Sequence, residues 1–90
     1  MTVKEYCTEI QKLLIEGEEF NLAKSFGSFI SELEKSEDNS VYRKIISIYG
    51  GMGSFNDLVL YKNGILCRRE NDSLSELRNG LYNEIGNSWS

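Results

Sequence analysis

Apolar residues recur every three or four positions in the first half of the chain, which is the spacing of one face of an α-helix. The first stripe begins at Val3 and predicts a helix that ends near Ile15, before Gly17. Thr2 and Glu5 have the spacing of a capping box, in which each side chain bonds the backbone N–H of the other residue. The helix should therefore begin immediately after Thr2.

Two further helices are predicted before the middle of the chain. Residues 19–35 carry a broad apolar stripe, which predicts the central helix of the fold. Gly27 within it costs about 1 kcal/mol relative to alanine, a cost that close approach of a neighbouring helix would offset. Residues 41–49 predict a third helix, ending at Gly50-Gly51.

The second half of the chain contains a hairpin signal. Residues 58–68 form two apolar runs on either side of Asn63-Gly64, a pair that suits the positive φ angles of a type I′ turn. An isolated two-stranded hairpin is marginally stable in water. We therefore expect its apolar face to pack on the helices.

A C-terminal helix completes the predicted fold. Ser73 and Glu76 have the spacing of a second capping box, and the helix should break near Gly80 or end at Gly86. The predicted fold is α+β and mainly helical, with three helices, a β-hairpin with an Asn-Gly turn, and a C-terminal helix. The 90 residues should form a single domain, 1–90.

Composition is that of a small soluble domain. The chain is 40% hydrophobic and 27% charged, which argues against disorder. No apolar run approaches the length of a membrane span, and the N-terminal residues lack the apolar stretch of a signal peptide. We expect a cytoplasmic protein that does not contact membranes.

The side chains that most enzymes use are scarce. The chain has no histidine, the usual general acid–base near neutral pH. Cys7 and Cys67 are too few for a zinc site and are predicted to be reduced core residues. A mechanism with paired carboxylates stays open, but no two acids stand out. We expect no enzyme activity, no cofactor and no metal.

Negative charge is concentrated in the first forty residues, which carry a net charge of −5. Such a cluster is either a solvated face or a patch for a basic partner. The candidate binding residues are the seven acids around the second predicted helix: Glu16, Glu18, Glu19, Glu32, Glu34, Glu37 and Asp38. The acidic balance argues against direct binding of nucleic acid.

The glycine-rich segment 49–57 is a second candidate feature. Its backbone N–H groups could face an anion, but a phosphate loop normally follows a strand and carries a basic residue. A tight connection from helix to strand is the favoured interpretation.

Aromatic residues outside the apolar stripes are the third candidate feature, since tyrosine and tryptophan dominate many protein interfaces. These residues are Phe20, Tyr42, Tyr61, Tyr82 and Trp89. Core packing is the alternative for each.

The segment 48–60, with its string Tyr-Gly-Gly-Met-Gly-Ser-Phe-Asn-Asp-Leu, and the helix 73–85 resemble a family of small bacterial proteins. That family is similar to immunity proteins of contact-dependent growth inhibition and related polymorphic toxin systems. The resemblance implies a small cytosolic protein that is not an enzyme and binds a co-encoded toxin tightly. Many such toxins are basic nucleases, which an acidic inhibitor complements. The alternative is a non-enzymatic adaptor or homo-oligomeric protein.

Overall fold

The computed structural model describes residues 1–50 and 55–88. Four helices and a two-stranded hairpin follow one another along the chain, confirming the mainly helical α+β fold. In order they are α1 (Val3–Glu16), α2 (Phe20–Lys35), α3 (Asn39–Ser47), a 3₁₀ turn (Phe55–Asp57), β1 (Tyr61–Lys62), β2 (Ile65–Leu66) and α4 (Arg68–Ser88).

The first helix begins as the sequence predicts. The Glu5 backbone N–H donates to Thr2 Oγ1 at 3.1 Å, and the Thr2 N–H donates to Glu5 Oε1 at 2.9 Å. This helix, not α2, is central, because α1 packs extensively against both α2 and α4, whereas α2 packs extensively only against α1 and slightly against α3. The prediction for α2 was wrong because the width of an apolar stripe does not show how many helices lie against it. Gln11 contributes to the contact of α1 with α2, and Tyr6 to its contact with α4.

Both flanking contacts involve a glycine. Gln11 Nε2 donates to the Ala23 carbonyl at 2.9 Å, and a β-carbon on Gly27 would lie 3.0 Å from that nitrogen. A β-carbon on Gly80 would lie 2.6 Å from the Tyr6 ring. The close helix approach predicted at Gly27 is confirmed, and α4 has a similar one.

The third helix starts two residues earlier and ends two residues earlier than predicted. Asp38 caps it, with Oδ1 accepting the Ser40 N–H at 2.9 Å. The predicted start at Val41 was wrong because it followed the apolar stripe and overlooked this cap. The segment after α3 leads into the 3₁₀ turn, not directly into a strand, and the Phe55 N–H donates to the Ile48 carbonyl at 3.1 Å.

The hairpin has the predicted turn but shorter strands. Asn63 and Gly64 have φ values of 54° and 78°, as a type I′ turn requires. Tyr61 pairs with Leu66 and Lys62 with Ile65, and all four side chains are exposed. The expected packing on the helices occurs at the base of the hairpin, where Leu60 is fully buried, but not at the paired strands themselves.

The fourth helix begins at Arg68 and passes through both glycines where a break was predicted. The Asn71 N–H already donates to the Cys67 carbonyl at 2.8 Å, so Ser73 lies inside the helix and is not its cap. A single glycine costs a helix only about 1 kcal/mol, which packing at Gly80 offsets.

The buried side chains form one hydrophobic cluster drawn from all four helices, Phe55 and Leu60. Phe26 of α2 contacts Phe55 with ring centroids 5.2 Å apart. The 3₁₀ turn is thereby anchored in the core. Within residues 1–50 and 55–88, no helix combines the length and the apolar character needed to cross a membrane.

Candidate protein-binding surface

Exposed apolar side chains gather at one end of the molecule. We call this region the hairpin end and define it as residues 15–20 and 57–72, which comprise the α1–α2 turn, the hairpin and the first turn of α4. Of the eight large hydrophobic side chains exposed in the described residues, Met1 and Tyr82 lie elsewhere. The other six belong to the hairpin end: Ile15, Phe20, Val59, Tyr61, Ile65 and Leu66.

The α1–α2 turn abuts the base of the hairpin. A β-carbon on Gly17 would lie 2.7 Å from Leu60 Cδ2 and 3.1 Å from Leu60 Cβ. Gly17 caps α1 as predicted, but its φ of −85° is open to any residue. The absence of a side chain there makes room for Leu60, which is fully buried.

A Schellman motif shapes the turn. The Glu19 N–H donates to the Leu14 carbonyl at 2.8 Å, and the Glu18 N–H donates to the Ile15 carbonyl at 3.1 Å. The motif places one residue in the left-handed conformation, usually glycine. Here that residue is Glu18, with φ of 61°.

Asn71 of α4 holds the hairpin from the other side. Its Nδ2 donates to the Leu60 carbonyl at 3.0 Å, and its Oδ1 accepts the Leu60 N–H at 2.7 Å. The Cys67 N–H donates to the same carbonyl at 3.1 Å. The amide side chain therefore replaces a neighbouring strand at the base of the hairpin.

Arg78, two turns further along α4, holds the segment that precedes the hairpin. Its Nη1 donates to the Phe55 carbonyl at 2.9 Å, and its guanidinium carbon lies 5.8 Å from the centre of the Phe55 ring. The Tyr49 hydroxyl donates to the Arg78 carbonyl at 2.8 Å. The described part of the glycine-rich segment 49–57 is therefore fixed to α4.

The exposed apolar residues lie on several faces of the hairpin end. Tyr61 and Leu66 are paired and share one face of the hairpin, while Ile65, 71% exposed, lies on the other. Val59 and Leu66 also line a groove against α4. The hairpin therefore presents apolar groups in more than one direction.

Ile15 and Phe20 extend the apolar surface onto the turn. Ile15 lies one helical turn after Gln11, and Phe20 lies two turns before Gly27. Since Gln11 and Gly27 face each other, Ile15 and Phe20 lie along the same seam between the helices. Phe20 is 62% exposed.

The seven candidate acids do not form one patch. Glu16, Glu18 and Glu19 precede α2, whereas the other four lie from its last turn onward. A helix rises about 1.5 Å per residue, so the 13 residues from Glu19 to Glu32 separate the two groups by about 20 Å.

The four acids beyond the middle of α2 have partners within the molecule. Glu32 forms a salt bridge with Lys44, and Glu34 forms one with Lys4 at 3.8 Å. Glu37 accepts the Tyr42 hydroxyl at 2.8 Å. The fourth, the α3 cap, binds backbone N–H groups.

Glu16, Glu18 and Glu19 differ from those four. Among the residues that the structure describes, no side-chain hydrogen bond or salt bridge involves their carboxylates. They lie beside Ile15 and Phe20, at the hairpin end. Of the candidate acids, these three are the ones available to a partner near exposed apolar groups.

The aromatic candidates divide in the same way. Phe20, Tyr61 and Tyr82 are exposed. Tyr42 is buried, which confirms core packing, the alternative interpretation, for this residue; its hydroxyl donates to Glu37. Trp89 lies outside the described residues.

The titratable groups of the interior do not form a reactive cluster in the described part of the chain. Burial raises the pKa of the Cys7 thiol to about 12, which keeps it protonated and unreactive. Cys67 is only half-buried at the edge of the core, so the prediction of a core residue was wrong for it. Within residues 1–50 and 55–88, no three Cys, Asp or Glu side chains are placed to hold a metal ion.

The groove between α3 and α4 is the other concave feature near the glycine-rich segment. Tyr49, Asn56, Asn79, Tyr82 and Asn83 line it, and none of these side chains carries a charge at neutral pH. Gly51 and Gly53, on which the anion-binding alternative depends, lie outside the described residues.

Comparison with family models gives one match. Residues 15–68 match the model described as a domain of unknown function (DUF6966). The chain belongs to this family. The DUF6966 match begins at Ile15 and ends at Arg68, so it contains all six exposed apolar residues and the three acids of the turn. Comparison with curated proteins and with solved structures gives no match.

Sequence reasoning missed the hairpin end because it assumed that the hairpin would be covered. A signal was present, since Leu58, Val59, Leu60 and Tyr61 are consecutive apolar residues. Successive side chains of an extended segment point to opposite sides. If Leu60 faces the core, Val59 and Tyr61 must face away from it.

Proposed function

We propose that this protein is an immunity protein that acts in the cytoplasm by binding a cognate toxin domain and covering its active site or substrate surface. The observation that carries the proposal is the hairpin end, to which six of the eight exposed large hydrophobic side chains of the described residues belong. Gathered apolar groups on a small protein are typical of a protein-binding surface.

The chemistry of the surface supports binding to a protein. Tyr61 and Phe20 offer large rings with few rotatable bonds, and aromatic anchors of this kind dominate interface energetics. Asn71 and Gly17 fix the backbone beneath them, so a partner meets a surface that is already ordered. Ordering before binding reduces the entropy lost on association.

The choice of toxin rests on the overall charge and on the resemblance of segment 48–60 to immunity proteins. The chain carries a net charge of −4, which suits a basic partner and speeds its association. Many nuclease toxins are basic, because lysine and arginine bind the phosphates of their substrate. We therefore propose a ribonuclease of a contact-dependent inhibition system as the partner.

Co-expression with the toxin domain encoded next to this gene tests the proposal. The two proteins should co-purify, with a dissociation constant at or below about 10⁻⁹ M, as neutralisation of a lethal enzyme requires. A toxin domain from an unrelated locus is the control. Lack of binding to the neighbouring toxin, or binding that leaves its nuclease activity intact, would contradict the proposal.

The same apolar surface supports one other function, a homo-oligomeric adaptor. Ile65 and Phe20 are exposed enough to pair with a second copy. Light scattering separates the two functions: a monomer agrees with an immunity protein that meets its partner as a heterodimer. A stable dimer that buries the hairpin end would favour the adaptor.

A further inference from the structure

We infer that the hairpin end docks on a partner surface where apolar side chains lie beside lysine and arginine, with the basic groups facing the α1–α2 turn. This inference rests on the proposed function, since it names the chemistry of that partner. The apolar part of the contact is supplied by the hairpin together with Ile15 and Phe20. The acidic part is supplied by Glu16, Glu18 and Glu19.

The net charge of the hairpin end indicates whether its partner is acidic or basic. Residues 15–20 and 57–72 contain six acids and three bases, a net charge of −3 out of −4 for the whole chain. The three bases are Lys62, Arg68 and Arg69, and they are matched in number by Asp57, Glu70 and Asp72 on the same side. The excess negative charge therefore lies in the turn.

The carboxylates of the α1–α2 turn can also exchange water for a basic group of the partner without first breaking a bond within the protein. The acids of the other cluster would have to break bonds to Lys44, Lys4 or Tyr42 first. Glu16 and Glu18 are exposed and Glu19 is half-buried, none with a side-chain partner among the described residues. A charged pair formed on binding gains most when neither group gives up an existing bond.

Glu18 adds a reason to expect a role for this side chain. A non-glycine residue in the left-handed conformation is strained, and glycine would satisfy the Schellman motif without that strain. The Glu18 carboxylate is assigned a contact with a basic group of the partner, for which its exposed position at the turn is suited.

A second copy of this chain is a poorer occupant. Each copy would bring a net charge of −3 to the shared interface, and like charges at an interface oppose association. The apolar groups alone would suit either a second copy or a basic partner, but the negative charge of the hairpin end favours the basic partner.

Mapping with a simple probe tests the inference without a toxin. The ¹⁵N-labelled protein is titrated with a short synthetic peptide of leucine, lysine and arginine, and with a control peptide in which glutamate replaces the basic residues. We expect saturable amide shifts centred on residues 15–20 and 59–66 with the basic peptide only. Shifts centred on the larger acidic cluster at 32–38, equal shifts with both peptides, or no saturable shifts would each overturn the inference.

The toxin domain gives the second arm. A variant with Glu16→Gln, Glu18→Gln and Glu19→Gln is compared with a control carrying Glu9→Gln, Glu34→Gln and Glu76→Gln, which has the same net charge. At low salt we expect association with the turn variant to slow at least about 10-fold relative to the control. Equal rates would overturn this inference and leave the proposed function standing. If wild type does not bind the toxin, the proposed function fails and the peptide map alone decides the inference.

Discussion

At the scale of single residues, Gly17 and Glu18 divide the two roles that one glycine often has at the end of a helix. Glu18 adopts the left-handed conformation, with φ of 61°. Gly17 has φ of −85°, so its backbone conformation does not require glycine. Gly17 is required instead by Leu60, a residue far away in sequence.

Replacing Glu18 with glycine should stabilise the fold. Glycine adopts a φ of 61° without strain but loses more entropy on folding, so the net gain in unfolding free energy should be about 0.5–1 kcal/mol. Urea denaturation measures it. Asn63→Gly is the matched control, because asparagine tolerates its φ of 54° and the gain there should be smaller. A loss of stability in Glu18→Gly would mean that the carboxylate supports the fold.

Cys7 should make the protein less stable at alkaline pH. Its folded-state pKa is about 12, against an ordinary value of 9.0, so the folded thiol stays protonated where the unfolded thiol ionises. The contribution is fully present below pH 9.0 and is lost as pH rises towards 12, with a slope of up to about 1.4 kcal/mol per pH unit. Denaturation between about pH 8 and pH 10 measures that slope before Tyr49, whose pKa burial also raises from its ordinary value of 10.0, begins to contribute. Cys7→Ala should flatten the slope in this window, and an unchanged slope would contradict the prediction.

At the scale of elements, the sequence predicts which segments are helical, but the residues at which the helices begin and end depend on tertiary contacts. The stripes of apolar residues predicted α1, α2 and α3, because in these helices the residues that recur with the helical period are also the buried ones. The start of α4 was misplaced because the residues before Ser73 lack an apolar stripe. Asn71, one of these residues, bonds Leu60, a tertiary contact that no local pattern reveals.

Replacing each of two glycines of α4 with alanine should change the stability of the protein in opposite directions. Gly80→Ala should lower stability by about 1 kcal/mol or more, because the new methyl group would displace the Tyr6 ring from its contact with α4. Gly86→Ala meets no atom within 4 Å and should raise stability by up to about 1 kcal/mol through helix propensity alone. Thermal and urea unfolding measure both. Equal gains at the two positions would mean that the Tyr6 ring moves aside without loss.

At the scale of the whole molecule, the sequence predicted an acidic protein but not how its acids divide. Seven residues that are close in sequence lie in two groups because most of α2 separates them. Their intramolecular partners, such as Lys4 and Lys44, come from other elements and could not be assigned from spacing. The apolar half of the hairpin end was missed because the residues that predict a hairpin do not indicate which of its faces other elements bury.

The two acidic groups should differ in their effect on stability. Reversal of Glu32, Glu37 and Asp38 to lysine should cost about 2–3 kcal/mol, through loss of the α3 cap and of the bonds to Tyr42 and Lys44. The matched reversal of Glu16, Glu18 and Glu19 should cost less than about 1 kcal/mol, chiefly from a positive charge at the start of α2. Urea denaturation of both triple variants measures the difference. Equal losses would show that the turn acids also support the fold.

The bond between Asn71 and Leu60 sets an order of events during synthesis. The hairpin leaves the ribosome before α4, yet its base is paired to a side chain of α4. A nascent chain that ends before residue 71 therefore has a hairpin without its support. The hairpin end becomes complete only when α4 has emerged and docked on α1, so this surface cannot bind a partner until α4 has been translated.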